Sequence, residues 1–399
     1  MREVPPTAGL PLRWRDFLAR GPQALEEGLK LFLGAPRLRI ECSGTAALVV
    51  ALTALKRRSA RRRVIVPAYT CPLVAMAVLH CGLLPVPCDL RPGDFQFDLG
   101  QLERLCDAGT LAVIPTHLGG RIAEIAPVHD IARRHGAAVI EDAAQALGAI
   151  RHDAPRGSAS EAVFYSLAVG KGLTIYEGGV LVARDEDLQR EFDLVSSAVA
   201  PRRSGQELRR FLELAGYAAL YGPRALRLVY GLPLRRALKR GNPIQAVGDD
   251  FSGPIPLHRV GRWRKGIGAN ALQRLPAFLK ALETQARRRL AMLSSSPGIS
   301  VVGNRDGVRG TWPFFMVLMP SNRARDAALT RLWTAGLGVS RLYIHALADY
   351  PYLAGKVETH DAPSARDLAA RMLTVSNSPW LEDADFDHVV RVLAAAVSA

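Results

Sequence analysis

The sequence predicts an α/β protein: a large domain built on a mainly parallel sheet, then a smaller carboxyl-terminal α/β domain. Three observations lead there. Short, continuously apolar runs alternate with helical patterns through the first half, as in sheets covered on both faces. Polar residues gather where those runs end, the place where ligands bind in such sheets. At 399 residues, half of them hydrophobic, the chain is long enough for one large and one smaller core. The expected division is an amino-terminal arm and helix over 1–40, a large domain over 41–250, and an interdomain helix with the small domain over 251–399.

Taken in order, residues 1–40 read as a proline-rich arm and a short helix ending near Gly34. Ser43 and Gly44 open a helix that runs to Leu55, with Thr45 in its first turn. Such a start leaves backbone N–H groups free and adds a hydroxyl, which suits a phosphate; an ordinary capped core helix reads the same way. Strands are expected at Val64–Val66, Leu84–Cys88, Leu111–Pro115 and Ala137–Glu141. Helices follow them after PAYTCP to about Cys81, at Gln101–Cys106 and at Ala126–His135. Further strands are expected at Ala162–Ser166 and Gly179–Ala183.

The strand ends carry Tyr69 and Thr70, Thr116 and His117, Asp142 and Gln145, then Ser166 and Lys171. Asp142 closes an apolar run, with Gln145 three residues beyond. A carboxylate so placed can keep a heterocyclic nitrogen protonated, or it can simply cap a helix starting there. Lys171 stands between Gly170 and Gly172 in a loop joining two apolar strands. Lysines belong on wet surfaces, and one withdrawn from water loses preference for its charge and becomes a nucleophile.

Composition removes several classes. No apolar run approaches the length of a membrane span and the first residues lack a signal-peptide core, so a cytoplasmic protein is expected. Five cysteines, Cys42, Cys71, Cys81, Cys88 and Cys106, show no metal-ligand spacing, and no metal is expected. No P-loop or GxGxxG fingerprint is present. Lys and Arg outnumber Asp and Glu by 52 to 37, a net charge of +15. Ten of those cations and only two acids, Glu207 and Glu213, fall between Arg202 and Arg240. No nucleic-acid-binding motif accompanies them, and no nucleic acid partner is expected. This segment mixes Leu, Tyr and Val with arginines and is interrupted at Gly222-Pro223 and Gly231. It reads as a helical insertion on the dimer or over the site, as a surface for a membrane or partner, or as a contact for a nucleotide diphosphate.

SGTAAL at 43–48, VIVPAYT at 64–70, PTHLGG at 115–120, EDAAQALGA at 141–149 and FYSLAVGKGLTIYEGG at 164–179 together resemble one family. It is the fold-type I, pyridoxal-phosphate-dependent sugar aminotransferases of the DegT/StrS group, over about residues 40 to 395. LYIHALADYPYL at 342–353 and ARMLTVSNSPWL at 370–381 extend the likeness more weakly. The resemblance implies that Lys171 carries pyridoxal 5'-phosphate on its ε-amine and moves protons, and that Asp142 pairs with the ring nitrogen. It further implies Gln145 at the ring hydroxyl, and Gly44, Thr45 and Ser166 around the phosphate.

Three departures stand out. Cys71 occupies the place of an aromatic that stacks on the ring, leaving Tyr69 or His117 as substitutes. The neighbouring subunit's phosphate-binding asparagine has no clear equivalent in 261–272, where Arg262, Arg264 and Lys265 stand. The basic 202–240 segment is also unusually long. The implied reaction moves an amino group from an amino acid, expected to be glutamate or glutamine, to a keto sugar, expected to be nucleotide-linked. The product would serve polysaccharide, glycan or antibiotic synthesis, and a cytoplasmic homodimer with shared sites is implied. The rivals are a sugar dehydratase, disfavoured because that branch has histidine at the lysine position, another pyridoxal-phosphate enzyme, and a non-catalytic basic binding protein on the same fold.

Overall fold

The computed structural model describes residues 2–18, 21, 23–151 and 160–397. In the first half the strands are β1 (Leu38–Glu41), β2 (Arg63–Pro67), β3 (Leu84–Cys88), β4 (Thr110–Val113), β5 (Ala138–Asp142), β6 (Ile150–Arg151), β7 (Ala162–Ser166) and β8 (Gly179–Ala183). All but β6 form one sheet in the order β1-β8-β7-β5-β4-β2-β3. From β3 across to β7 the pairings are parallel; β8 runs antiparallel to both β7 and β1. The chain between β7 and β8 is a loop without a crossover helix, so it returns antiparallel. That loop carries Lys171.

Helix Gly44–Arg57 is capped by Ser43, whose Oγ accepts the Ala46 N–H at 3.0 Å. Its alanines at 46, 47, 51 and 54 are fully buried, and small side chains let it lie close to the sheet and to helix Pro72–His80. Two elements absent from the sequence-based expectation are β1 and helix Glu186–Val199. Strand β1, LRIE, looks too polar for a buried strand. Its Glu41 carboxylate is held by Arg39 at 2.8 Å and by the Ser196 hydroxyl at 3.1 Å, so pairing makes its burial tolerable.

A second sheet follows, from β9 (Ser300–Val301), β11 (Phe314–Leu318), β12 (Val339–Ser340) and β13 (Met372–Ser376), antiparallel in the order β12-β13-β11-β9. Helices Asn322–Leu332 and Asp383–Val397 pack on it, and the 20-residue helix Leu275–Ser294 leads into it. A short ribbon of β6 with β10 (Val308–Arg309) ties the two halves together. The amino-terminal arm does the same. Val4 bridges Leu337, the Ala8 N–H donates to the Pro313 carbonyl, and the Leu10 N–H donates to the Gly172 carbonyl beside Lys171.

The basic segment folds as helices Ser204–Leu220, Pro223–Leu226, Leu232–Lys239 and Pro243–Val247, with a π-turn at Arg227–Gly231. The expected break at Gly222-Pro223 is present. The expected break at Gly231 is not, for its backbone stays right-handed helical at φ −62°. A Cβ there would lie 2.2 Å from a Glu3 carboxylate oxygen, so this glycine admits the arm and does not end a helix.

Candidate active site

At the carboxyl edge of the large sheet, between the two sheets, lies a cavity of about 700 Å³. β5 delivers Asp142, with Gln145 after it. β7 delivers Ser166, and the following loop delivers Lys171. The start of helix Gly44–Arg57 delivers Gly44 and Thr45, and Cys71 precedes helix Pro72–His80. All seven line the cavity. Segments that are separate in the sequence therefore converge on one space.

Lys171 is half-buried, and loss of water around its amine pushes its pKa below the ordinary lysine range against the opposing pull of Cys71 and Asp142. Burial pushes the carboxyl of Asp142 the other way, upward. The Ala144 N–H at 3.0 Å, then Lys171 and His117, counter it. The two groups thus hold an acid and a base whose charges burial disfavours and which stabilise each other only in part. The Cys71 thiol is pushed up to about 12, mainly by burial, so it stays neutral.

The anion cradle is built from backbone. Gly44 and Thr45 are the first two helical residues, so their N–H groups have no acceptor within the helix. Ser166 packs against Gly44: a Cβ on Gly44 would meet the serine Cβ at 3.2 Å. Gly179, opening β8, passes directly beneath, where a Cβ would strike the Ser43 carbonyl oxygen at 2.2 Å. The glycine pair after Glu177 is thus a requirement of close approach. The turn is held in shape by buried Arg264, which donates to the Glu177 carbonyl at 2.6 Å and the Ile175 carbonyl at 3.3 Å, beside Tyr176 at φ +72°.

Two expected ring-stacking substitutes do not line the cavity. The Tyr69 hydroxyl is occupied by the backbone of Tyr343, donating to its carbonyl and accepting its N–H, both at 3.2 Å. His117 is buried with both ring nitrogens in use. Nδ1 accepts the Ala123 N–H at 3.0 Å, so the proton sits on Nε2, which donates to Glu141 at 2.9 Å. Among the rings that line the cavity is Tyr343, whose hydroxyl accepts from the Gln145 amide at 3.0 Å while the amide oxygen takes the Gly119 N–H at 2.8 Å. Sequence reasoning missed Tyr343; its only signal was the weak likeness at 342–353. It also missed the arm, whose Thr7 hydroxyl donates to the Gly170 carbonyl at 2.9 Å and closes one wall. Of the three cations in 261–272, Arg264 is bound to Glu207 and Lys265 to Glu26. Arg262 is exposed and lies over the Trp263 ring at 5.5 Å.

A half-buried amine and a buried carboxylate on the walls of one cavity, together with a helix-start anion cradle, fit pyridoxal phosphate: an aldehyde, a ring nitrogen and a phosphate need those three groups. The fold and this site define a fold-type I pyridoxal-phosphate enzyme. The profile of the DegT/DnrJ/EryC1/StrS aminotransferase family matches residues 15–218 and 264–394, and the chain belongs to that family. It is similar to the erythromycin biosynthesis sensory transduction protein EryC1 of Saccharopolyspora erythraea, 34% identical over 358 residues, 88% of this chain and 84% of that protein. It is also similar to the GDP-perosamine synthase of Caulobacter vibrioides, 38% identical over 182 residues, 46% of this chain and about half (49%) of that one. In structure it resembles Helicobacter pylori PseC, an aminotransferase involved in the biosynthesis of pseudoaminic acid. The TM-score is 0.76 over 100% of both chains at 16% identity.

Proposed function

We propose that this protein transfers an amino group from an amino acid donor, glutamate by expectation, to the keto carbon of a nucleotide-linked sugar. The observation that carries this reading is the pair Lys171, half-buried, and Asp142, buried, both lining one cavity, with their pKa values driven in opposite directions. Pyridoxal phosphate, when bound, supplies the electron sink. Asp142 would pair with the ring nitrogen, whose proton would supply the countercharge that its buried carboxylate lacks. Lys171, easily deprotonated because its amine has lost water, takes the proton from the substrate carbon and returns one to the other side of the exchange. Gly44, Thr45 and Ser166 anchor the phosphate, Gln145 positions the ring edge, and the arm over Gly170 keeps water from the reacting carbon.

The same proposal takes the enzyme to be a cytoplasmic homodimer divided into domains near residue 250. Arg262 is the cation best placed to reach a neighbouring site, because Arg264 and Lys265 are bound at home. Among the described residues no helix is long and apolar enough to cross a membrane. The test is to load the protein with the cofactor, convert it with glutamate to the amino form, and offer a panel of keto-sugar nucleotides. Return of the original visible absorbance with one sugar identifies the acceptor. Loss of the amino form with no sugar, under conditions where glutamate reacts, contradicts the proposal.

A further inference from the structure

The family profile skips residues 219–263, and this stretch builds a second space. A groove of about 540 Å³ runs along helix Leu232–Lys239, floored by Val229, Leu234 and Ala237 and flanked by Arg236 and Arg240. Tyr230, Val247 and Gly248 wall both this groove and the cofactor cavity, so the two spaces adjoin.

Seven of the ten cations at 202–240 have no carboxylate partner among the described residues, and of these seven only Arg236 and Arg240 line the groove. Arg209, Arg210 and Arg235 are each held by a carboxylate, Arg235 by Glu3 at 2.7 Å. Arg236 and Arg240 are exposed and make no side-chain hydrogen bond or ion pair among the described residues. Acids at the junction are already engaged. Asp249 is buried and accepts from Tyr350 at 2.7 Å and the Ile344 N–H at 3.0 Å, and Asp250 accepts from the Ser252 hydroxyl at 2.9 Å. Spaced four residues apart, the two guanidinium groups rise from one helix face about 6 Å apart at their base. That matches neighbouring phosphate groups, for which arginine offers fork-shaped donors. The apolar floor asks for a flat or greasy substituent beyond the phosphates.

We propose that Arg236 and Arg240 form a diphosphate subsite for the acceptor. The keto sugar then points into the cofactor cavity, and the group on the far side of the diphosphate lies on Val229, Leu234 and Ala237. The inference rests on the aminotransferase reading and adds to it the residues that select the acceptor. A nucleoside diphosphate and an isoprenoid diphosphate share this chemistry, and the test separates them.

The cofactor-loaded, borohydride-reduced enzyme, whose own phosphate cradle is filled, is titrated by calorimetry with pyrophosphate, UDP, GDP and farnesyl diphosphate. The same titrations are run on cofactor-free protein. The esters should bind more tightly than pyrophosphate, because only they use the apolar floor. Arg236→Ala and Arg240→Ala should each weaken ester binding on the order of tenfold, and the double variant more. Arg203→Ala, which removes an equal charge outside the groove, should leave it unchanged. Tighter UDP or GDP assigns a nucleoside source; tighter farnesyl diphosphate assigns a lipid one. No ester binding to the unaltered protein, undiminished binding by the double variant, or an equal loss in Arg203→Ala overturns the subsite. Failure to take up cofactor, read separately from visible absorbance, overturns the aminotransferase reading and leaves the cofactor-free titration to judge the groove.

Discussion

Lys171 illustrates a residue kept against its own solvation. Burial lowers the pKa of its amine, so the folded chain disfavours the charged form that the unfolded chain holds. By linkage, this lysine's contribution to stability worsens as pH falls below its unfolded pKa. Lys171→Met should therefore raise the stability of the cofactor-free protein by about 0.5–2 kcal/mol, and more at pH 6 than at pH 9, while abolishing cofactor absorbance. Thermal melts of both proteins across that pH range check it. Gly179 makes the complementary point about shape. Because a Cβ at 179 would lie 2.2 Å from the Ser43 carbonyl oxygen, Gly179→Ala must push β8 away from the cradle. We expect a loss of about 1–3 kcal/mol and weaker cofactor retention, measurable by urea denaturation and by absorbance after dialysis. Gly205→Ala, where nothing stands within 4 Å, is the control.

At the scale of elements, Arg264 links three of them. From helix Arg262–Leu272 it reaches Glu207 on helix Ser204–Leu220 and the backbone of the turn at Ile175 and Glu177. Glu207 is half-buried, and although burial pushes its carboxyl up, the close approach of His258 at 3.1 Å and the hydrogen bonds from Arg264 hold it at about 2. Arg264→Leu leaves that carboxylate with one partner fewer and should cost about 3 kcal/mol. Glu207→Gln with Arg264→Leu should recover part of the loss, which a double-mutant cycle reads directly. The segment after residue 248 is anchored by Asp249, whose carboxyl burial raises to about 6 against the Tyr350 and Ile344 hydrogen bonds. A raised carboxyl gives stability that is complete below its unfolded pKa and lost as pH rises through 6. Asp249→Asn should flatten the pH dependence of unfolding between about 4 and 6, and an unchanged slope in that window would show that another group titrates there.

Over the whole molecule, the features legible in the sequence were the local ones. Asp142, Gln145, Ser166 and Lys171 sit at strand ends within short motifs, and the parallel rhythm from β2 to β5 carries them to one edge. The features that escaped are long-range. Strand β1 is legible only once Glu41 has met Arg39 and Ser196. Gly231 reads as a break until the Glu3 carboxylate is seen against it. Tyr343 reaches Gln145 across 198 residues, and the arm reaches the lysine loop across 163. Tyr69 and His117 had the right place along the chain, but their polar atoms were already committed to Tyr343, Glu141 and Ala123. Adjacency in sequence predicted the strand end and could not predict which way a side chain was bonded.

The most direct measurement is to reduce the cofactor-loaded protein with borohydride and map the labelled peptide. The account predicts a single label, on Lys171, with absorbance that Lys171→Ala abolishes. A label on any other lysine, or a protein that takes up none, would contradict it.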